Sequence, residues 1–111
     1  MENCIFCKIV RGEIPSAKVY EDEEILVFKD INPIAKIHLL CIPKVHFKTV
    51  AELDDERALL LGRTLQKIGK LAPSFGLAGG YRLVMNQGEA AGQTVPHLHI
   101  HILGGEPLSW E

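Results

Sequence analysis

Three of the chain's five histidines alternate with aliphatic residues in His97-Leu98-His99-Ile100-His101-Ile102-Leu103, just ahead of Gly104-Gly105. Imidazole, with an ordinary pKa of about 6.5, serves near neutral pH as nucleophile, proton donor or metal ligand. A β-strand sends successive side chains to opposite faces. His97, His99 and His101 would then line one face, and Leu98, Ile100 and Ile102 the core face. Neighbouring rings on such a face stand about 6.5–7 Å apart, which suits convergence on one small anionic group or one metal. A helix would scatter the rings around its axis, and the aliphatic, partly β-branched filling favours a strand. The plain alternative is a polar strand face that happens to use histidine.

Other residues of the same chemical kind lie elsewhere. Gly88 and Gly92 allow close backbone approach, and N–H groups from Gly92 to Thr94 can cradle a phosphate. Such a loop on its own is also an ordinary turn. Asp30, in Asp30-Ile31-Asn32-Pro33, is either a turn-initiating acid or a carboxylate able to accept from two ribose hydroxyls. Cys4-x-x-Cys7 has the spacing of a metal-binding or redox pair. The redox reading requires a preceding strand, and none is predicted there. Cys41 falls mid-strand and reads as a buried free thiol.

The elements that position these residues follow from pattern. Cys4 to Arg11 fits a short amphipathic helix ended by Gly12. Lys18 to Tyr20 and Ile25 to Lys29 read as strands joined by an acidic turn, and His38 to Pro43 as a third. Lys44 to Leu53 is a connection with room for a helical turn. One long helix is predicted from Asp54 to Leu71, with Asp54 as N-cap and Asp55 and Glu56 favoured by the helix dipole. Leu61, Leu65, Ile68 and Ala72 mark its expected buried stripe. Tyr81 to Met85 and Val95 to Leu103 complete about five strands, with Asn86 to Thr94 a glycine-rich loop between them. Pro96 has no N–H and suits the first residue of the last strand. The fold class is α+β, with a mainly antiparallel sheet, one long helix and a short N-terminal helix.

Composition bounds the rest. The 111 residues, 47% hydrophobic and 23% charged, give room for one core and predict a single domain over 1–111. A net charge of −2 with both signs interspersed gives no electrostatic footprint for nucleic acid or a membrane surface. No apolar run approaches membrane-spanning length and no secretory leader pattern opens the chain. Three cysteines do not make a disulfide framework. A cytoplasmic protein is expected.

The histidine run, preceded by Gly92-Gln93-Thr94-Val95, resembles the signature of the histidine triad (HIT) family of nucleotidyl hydrolases and transferases. Asp30-Ile31-Asn32-Pro33 and His38-Leu39-Leu40-Cys41-Ile42-Pro43-Lys44 resemble the family's first half-site. Cys4-Ile5-Phe6-Cys7-Lys8-Ile9 and Leu103-Gly104-Gly105 with Trp110 look like its Hint branch. Nearly the whole chain takes part.

The resemblance implies a purine nucleoside 5′-phosphoramidate hydrolase, with His99 attacking phosphorus to form a covalent nucleotidyl intermediate. His101 would donate to a phosphate oxygen, Thr94 and Gln93 would lie near the leaving group, and His38 would hydrogen-bond toward the triad. It assigns nucleotide binding to Asp30, Ile31, Asn86, Gly92, Gln93, Thr94, Trp110 and the base-sandwiching Phe6, Ile9, Phe28 and Leu40; core packing explains the apolar ones equally well. Some relatives carry structural zinc on residues that correspond to Cys4, Cys7, His46 and His97, a ligand set zinc favours. A homodimer follows too, with the C-terminal tail reaching the partner's site. Pro96 in place of a frequent aromatic, and Glu106 in place of a frequent basic residue, depart from the pattern. Three alternatives stay open: a Fhit-like dinucleoside polyphosphate hydrolase, a non-catalytic nucleotide-binding protein, and a metalloenzyme with His97, His99 and His101 on one zinc.

Overall fold

A computed structural model describes residues 3–110. Cys4 caps the first helix, α1 (Ile5–Val10), with its Sγ accepting the Cys7 N–H. Gly12 leaves that helix at a φ of 78°, a left-handed turn that glycine takes without strain. Then come β1 (Lys18–Glu21), β2 (Ile25–Lys29), β3 (Ile37–Pro43), α2 (Asp55–Leu71), β4 (Tyr81–Val84) and β5 (Ile100–Gly104). A 3-10 turn at Val50–Glu52 occupies the connection after β3. Asp54 caps α2 as its sequence position predicts, accepting the Arg57 N–H at 2.8 Å.

The strands form one antiparallel sheet in the order β1-β2-β3-β5-β4. Alternation along β2 and β3 feeds two apolar layers. Ile25, Val27, Leu39, Cys41, Ile100 and Ile102 pack with Ile68 of α2. Leu26, Phe28, Leu40 and Ile42 pack on the opposite face with Phe6, Cys7 and Ile9 of α1. Each such fully buried aliphatic side chain contributes about 1.5–3 kcal/mol. The Asp22 carboxylate shapes the β1–β2 turn by accepting the Glu24 and Ile25 N–H groups. Glu24 pairs with Arg63 and Lys67, tying that turn to α2.

Two expectations are corrected here. The buried stripe of α2 is Leu60, Thr64 and Ile68, running on to Ala72, while Leu65 is 41% exposed and Leu61 only half-buried. Thr64 escapes an apolarity count, yet its hydroxyl donates to the Leu60 carbonyl at 2.8 Å, so burying it strands no polar group. The histidine strand is also shorter than predicted. Val95, Pro96 and His97 form a bend, with the His97 N–H closing on the Val95 carbonyl, and the ladder begins only at Ile100. Pro96 therefore lies before the strand, not at its first position.

Candidate active site

The two triad residues nearest β5 share a cavity of about 490 Å³ between α1 and the sheet. The β3–β5 register pairs Leu40 with His101, which puts His101 on the α1 side. The His99 and His101 ring centres lie 5.0 Å apart, and Phe6 of α1 meets His99 edge-on at 5.1 Å. His99 Nδ1 lies 2.7 Å from the carbonyl of His97. A carbonyl only accepts, so Nδ1 carries the hydrogen and Nε2 of the neutral ring keeps its lone pair.

A second relay fixes His101. The Ile34 N–H donates to His38 Nδ1 at 3.1 Å, so the neutral His38 ring carries its hydrogen on Nε2. That nitrogen lies 2.9 Å from His101 Nδ1 and 3.3 Å from Asp30 Oδ2. His101 accepts at Nδ1 and is left with an Nε2–H donor. Burial pushes the pKa of His38 below the ordinary value, with Asp30 opposing the shift. Burial likewise lowers His101, helped by His99 and His38 and opposed by Asp30. Both rings are neutral at pH 7. Asp30, His38 and His101 are close enough together for a metal ion, but His38 Nε2 could ligate only by giving up the Ile34 bond or becoming an imidazolate. The trio fits hydrogen transfer, not metal.

His97 belongs to a different cluster. It is wholly buried, its Nε2–H donates to the Pro43 carbonyl at 2.8 Å, and its Nδ1 faces Cys4 Sγ at 3.4 Å and Cys7 Sγ at 3.6 Å. His46 Nδ1 lies 3.2 Å from both Cys7 Sγ and His97 Nδ1. Burial lowers the pKa of His97 to about 4 and raises that of the Cys7 thiol. The ligand atoms of Cys4, Cys7, His46 and His97 all lie within 4.8 Å of one another, a group that could hold a metal ion. The arrangement with all three triad histidines on one metal is overturned, because His97 Nδ1 points away into the thiol pair.

Phe6, Ile9, Phe28, Leu40, Asp30, Thr94 and Ile31, to which the family resemblance assigns nucleotide binding, line the cavity, Ile31 from a 91% exposed position at its rim. Four expected residues stand elsewhere. Gln93 is a loop staple: its Oε1 accepts the Gly88 N–H and its Nε2 donates to the Lys48 carbonyl. Gly92 and Gln93 spend their own N–H groups on the Glu89 and Gly88 carbonyls, so the backbone cradle shrinks to Thr94. Asn86 follows β4 and lies outside the cavity wall. Trp110 is 91% exposed, stacked over the Arg82 guanidinium at 5.5 Å, and is not part of this chain's own cavity wall. Conversely, residues 14–17 form a wall that no sequence argument assigned. The signal available for them was Ile14-Pro15, an extended apolar entry to β1.

Comparison with known proteins agrees with this geometry. The family model described as "Scavenger mRNA decapping enzyme C-term binding" matches residues 3–108. The chain is 52% identical over 104 residues to Protein HitA of Neisseria gonorrhoeae, covering 94% of this chain and 97% of that one. It is 45% identical over 108 residues to the purine nucleoside phosphoramidase of Escherichia coli, covering 96% and 91% respectively. A HIT family hydrolase from Clostridium thermocellum superposes with a TM-score of 0.94 at 47% identity, over 100% of this chain and 97% of that one. With its paired imidazoles at and just before β5 and matches of this length, the chain belongs to the histidine triad (HIT) family.

Proposed function

We propose that this chain is a nucleotidyl hydrolase that cleaves purine nucleoside 5′-phosphoramidates through a covalent His99 intermediate. The observation that carries the reading is the His99 geometry: Nδ1 lies 2.7 Å from the His97 carbonyl, which leaves Nε2 as the ring nitrogen free for a substrate in a cavity that His101 shares. The name of the E. coli relative supplies the substrate class. In this reading Nε2 attacks the α-phosphorus, a P–N bond to His99 forms, and the bond to the leaving nitrogen breaks, that nitrogen taking a proton from solvent to depart as a neutral amine. The His101 Nε2–H donates to a non-bridging oxygen as charge builds there. The Thr94 hydroxyl contacts the phosphate or leaving group. Water then displaces His99, yielding a nucleoside 5′-monophosphate. Asp30 receives the ribose, and Phe6, Ile9, Phe28 and Leu40 enclose the base.

The second cluster takes zinc as a structural ion. Bonds of about 2.0–2.1 Å to nitrogen and 2.3 Å to sulfur give a tetrahedron with edges of about 3.3–3.8 Å. Four of the six ligand-atom separations, at 3.2 to 3.6 Å, lie close to those edges, and all six are within 4.8 Å. The ion would tie α1 to the bend that carries His97 and leads to His99. The whole of 1–111 acts as one domain in a homodimer. Support for the dimer comes from β4, an edge strand with exposed Tyr81 and Leu83. Free thiols at Cys4, Cys7 and Cys41 suit a reducing, cytoplasmic setting. Among the described residues, no helix is long and apolar enough to cross a membrane.

The test is single-turnover hydrolysis of an adenosine 5′-phosphoramidate, quenched in base, with the protein mass read for an attached nucleotidyl group. The adduct and AMP release are expected in the parent and absent in His99→Ala. A diadenosine polyphosphate cleaved in preference to the phosphoramidate would select the Fhit-like alternative.

A further inference from the structure

One hydrogen in the site has two acceptors within reach. His38 Nε2 lies 2.9 Å from His101 Nδ1 and 3.3 Å from Asp30 Oδ2. The shorter contact goes to a neutral acceptor and the longer to a carboxylate, and bonds to ionised acceptors are about twice as strong. Backbone bonds fix the three residues in this arrangement: the Asp30 N–H donates to the His38 carbonyl at 3.0 Å, and the Ile34 N–H occupies His38 Nδ1. The carboxylate acts on both rings, opposing the burial that lowers their pKa values. A ligand can reach it without reaching the donor. Asp30 and His101 line the cavity and His38 does not; the Asp30 side chain is 18% exposed against 3% for His38. Asp30 Oδ1 accepts the Asn32 N–H at 2.8 Å, so each carboxylate oxygen keeps a lone pair for a further donor.

We infer that the ribose does more than anchor the nucleotide: by engaging Asp30, its two hydroxyls leave the His38 hydrogen wholly to His101. This rests on the nucleotide reading above, with ribose at Asp30. Hydroxyls that donate to the carboxylate draw off the electron density that competes for the hydrogen. No proton changes its nitrogen; the His38 hydrogen stays on Nε2 and only its acceptor changes. His101 Nδ1 is then an acceptor alone, and the His101 hydrogen is kept on Nε2, where a phosphate oxygen needs it. Asp30 is thereby a positioning residue as well as a ribose ligand. A substrate without the diol loses rate and not affinity alone, because the interaction it forgoes also prepares the transition state.

Single-turnover hydrolysis at saturating substrate tests this with adenosine 5′-phosphoramidate and its 2′,3′-dideoxy analogue, in the parent and in His38→Ala. In the parent the analogue is expected to react about fivefold to tenfold more slowly, besides binding more weakly. In His38→Ala the two substrates should react within about twofold of each other, because no hydrogen is left to share. An equal rate loss in parent and variant, or a loss of affinity alone, overturns the inference. A second readout needs neither turnover nor a variant: the imidazole nitrogen resonances of the parent, titrated to saturation with adenosine and with 2′,3′-dideoxyadenosine. Adenosine should move the His101 Nδ1 and Nε2 signals apart, as a single tautomer does, and the dideoxy nucleoside should not. His101 signals that respond to neither or to both alike overturn the inference, as does a failure of adenosine to bind. If no phosphoramidate is cleaved at all, the hydrolase reading fails, while the nitrogen resonances still decide whether ribose steers the His38 hydrogen.

Discussion

His97 and His99 are separated by one leucine, lie against the same phenylalanine ring, and are both almost fully buried. What each ring can do nevertheless differs completely. His97 has Nε2 tied to the Pro43 carbonyl and Nδ1 aimed at two thiols and a second imidazole. His99 has Nδ1 tied to a carbonyl and Nε2 left in an open cavity with His101 beside it. One ring is enclosed by protein ligands and the other by space a substrate can enter. Burial alone does not separate a structural histidine from a reactive one. The partner of each nitrogen does, because a nitrogen whose neighbour is hydrogen-bonded to a carbonyl is the one that keeps a lone pair.

The largest expected effect breaks the comparison at its reactive end. His99→Ala should lower the hydrolysis rate by about 10⁴-fold or more, the scale of losing a covalent nucleophile. Its melting temperature should stay close to the parent's. Steady-state kinetics beside a thermal melt checks both halves. A variant that retains turnover removes His99 from the chemistry.

At the metal-type cluster the expected sign reverses. Elemental analysis is expected to give one zinc per chain in the parent and none in Cys4→Ser. The fold should lose about 2–4 kcal/mol, while hydrolysis at a temperature well below the melt stays within about threefold of the parent. A chelator that stops hydrolysis before the protein unfolds would instead give that ion a part in the reaction.

Much of this contrast was legible in the residue pattern. The alternation from Leu98 to Ile102 does divide core from site, with Leu98, Ile100 and Ile102 buried in apolar clusters. The bend at Pro96 was not legible, because a strand pattern cannot tell where ladder bonding begins. That bend lets His97 leave the sheet for Cys4 and Cys7. The hydrogen-bond and stacking partners of Gln93, Gly92 and Trp110 were not legible for another reason. Each is a polar or aromatic group whose partner depends on tertiary closure: Gly88 and Lys48 for Gln93, Glu89 for the Gly92 N–H, and Arg82 for Trp110. Leu65 was misplaced by a helical rotation of one residue, about 100°, because Thr64 satisfies its own hydroxyl and can be buried.

His38 sharpens the comparison from within the open cluster. His38→Ala removes the donor that holds His101 Nδ1, freeing His101 to place its hydrogen on either nitrogen. The rate should fall by about 10–100-fold, the size usual for partners that orient a working imidazole. KM should move little, and His38→Gln, which keeps an N–H donor, should recover part of the loss. Equal losses in both variants would mean that the ring's bulk matters and not its hydrogen.

The smallest effect separates the clusters by acid. Burial lowers the pKa values of His38 and His101 below 6.5 in the folded protein. Below about pH 6.5 the unfolded chain therefore binds more protons than the folded one, and stability rises with pH across that range. The contribution is complete above 6.5 and is lost as the pH falls from there toward the lower folded values. Acid also strips a thiolate–imidazole metal site, which would mask the effect. The measurement accordingly belongs in the Cys4→Ser background, where the melting temperature is followed from pH 7.5 to 5 with and without His38→Gln. The background should lose about 2–4 °C more than the double variant, which has one fewer buried imidazole to protonate. Parallel curves would mean that His38 and His101 reorganise to accept a proton. The hydrogen relay from Ile34 through His38 to His101 would then be too loose to fix a tautomer.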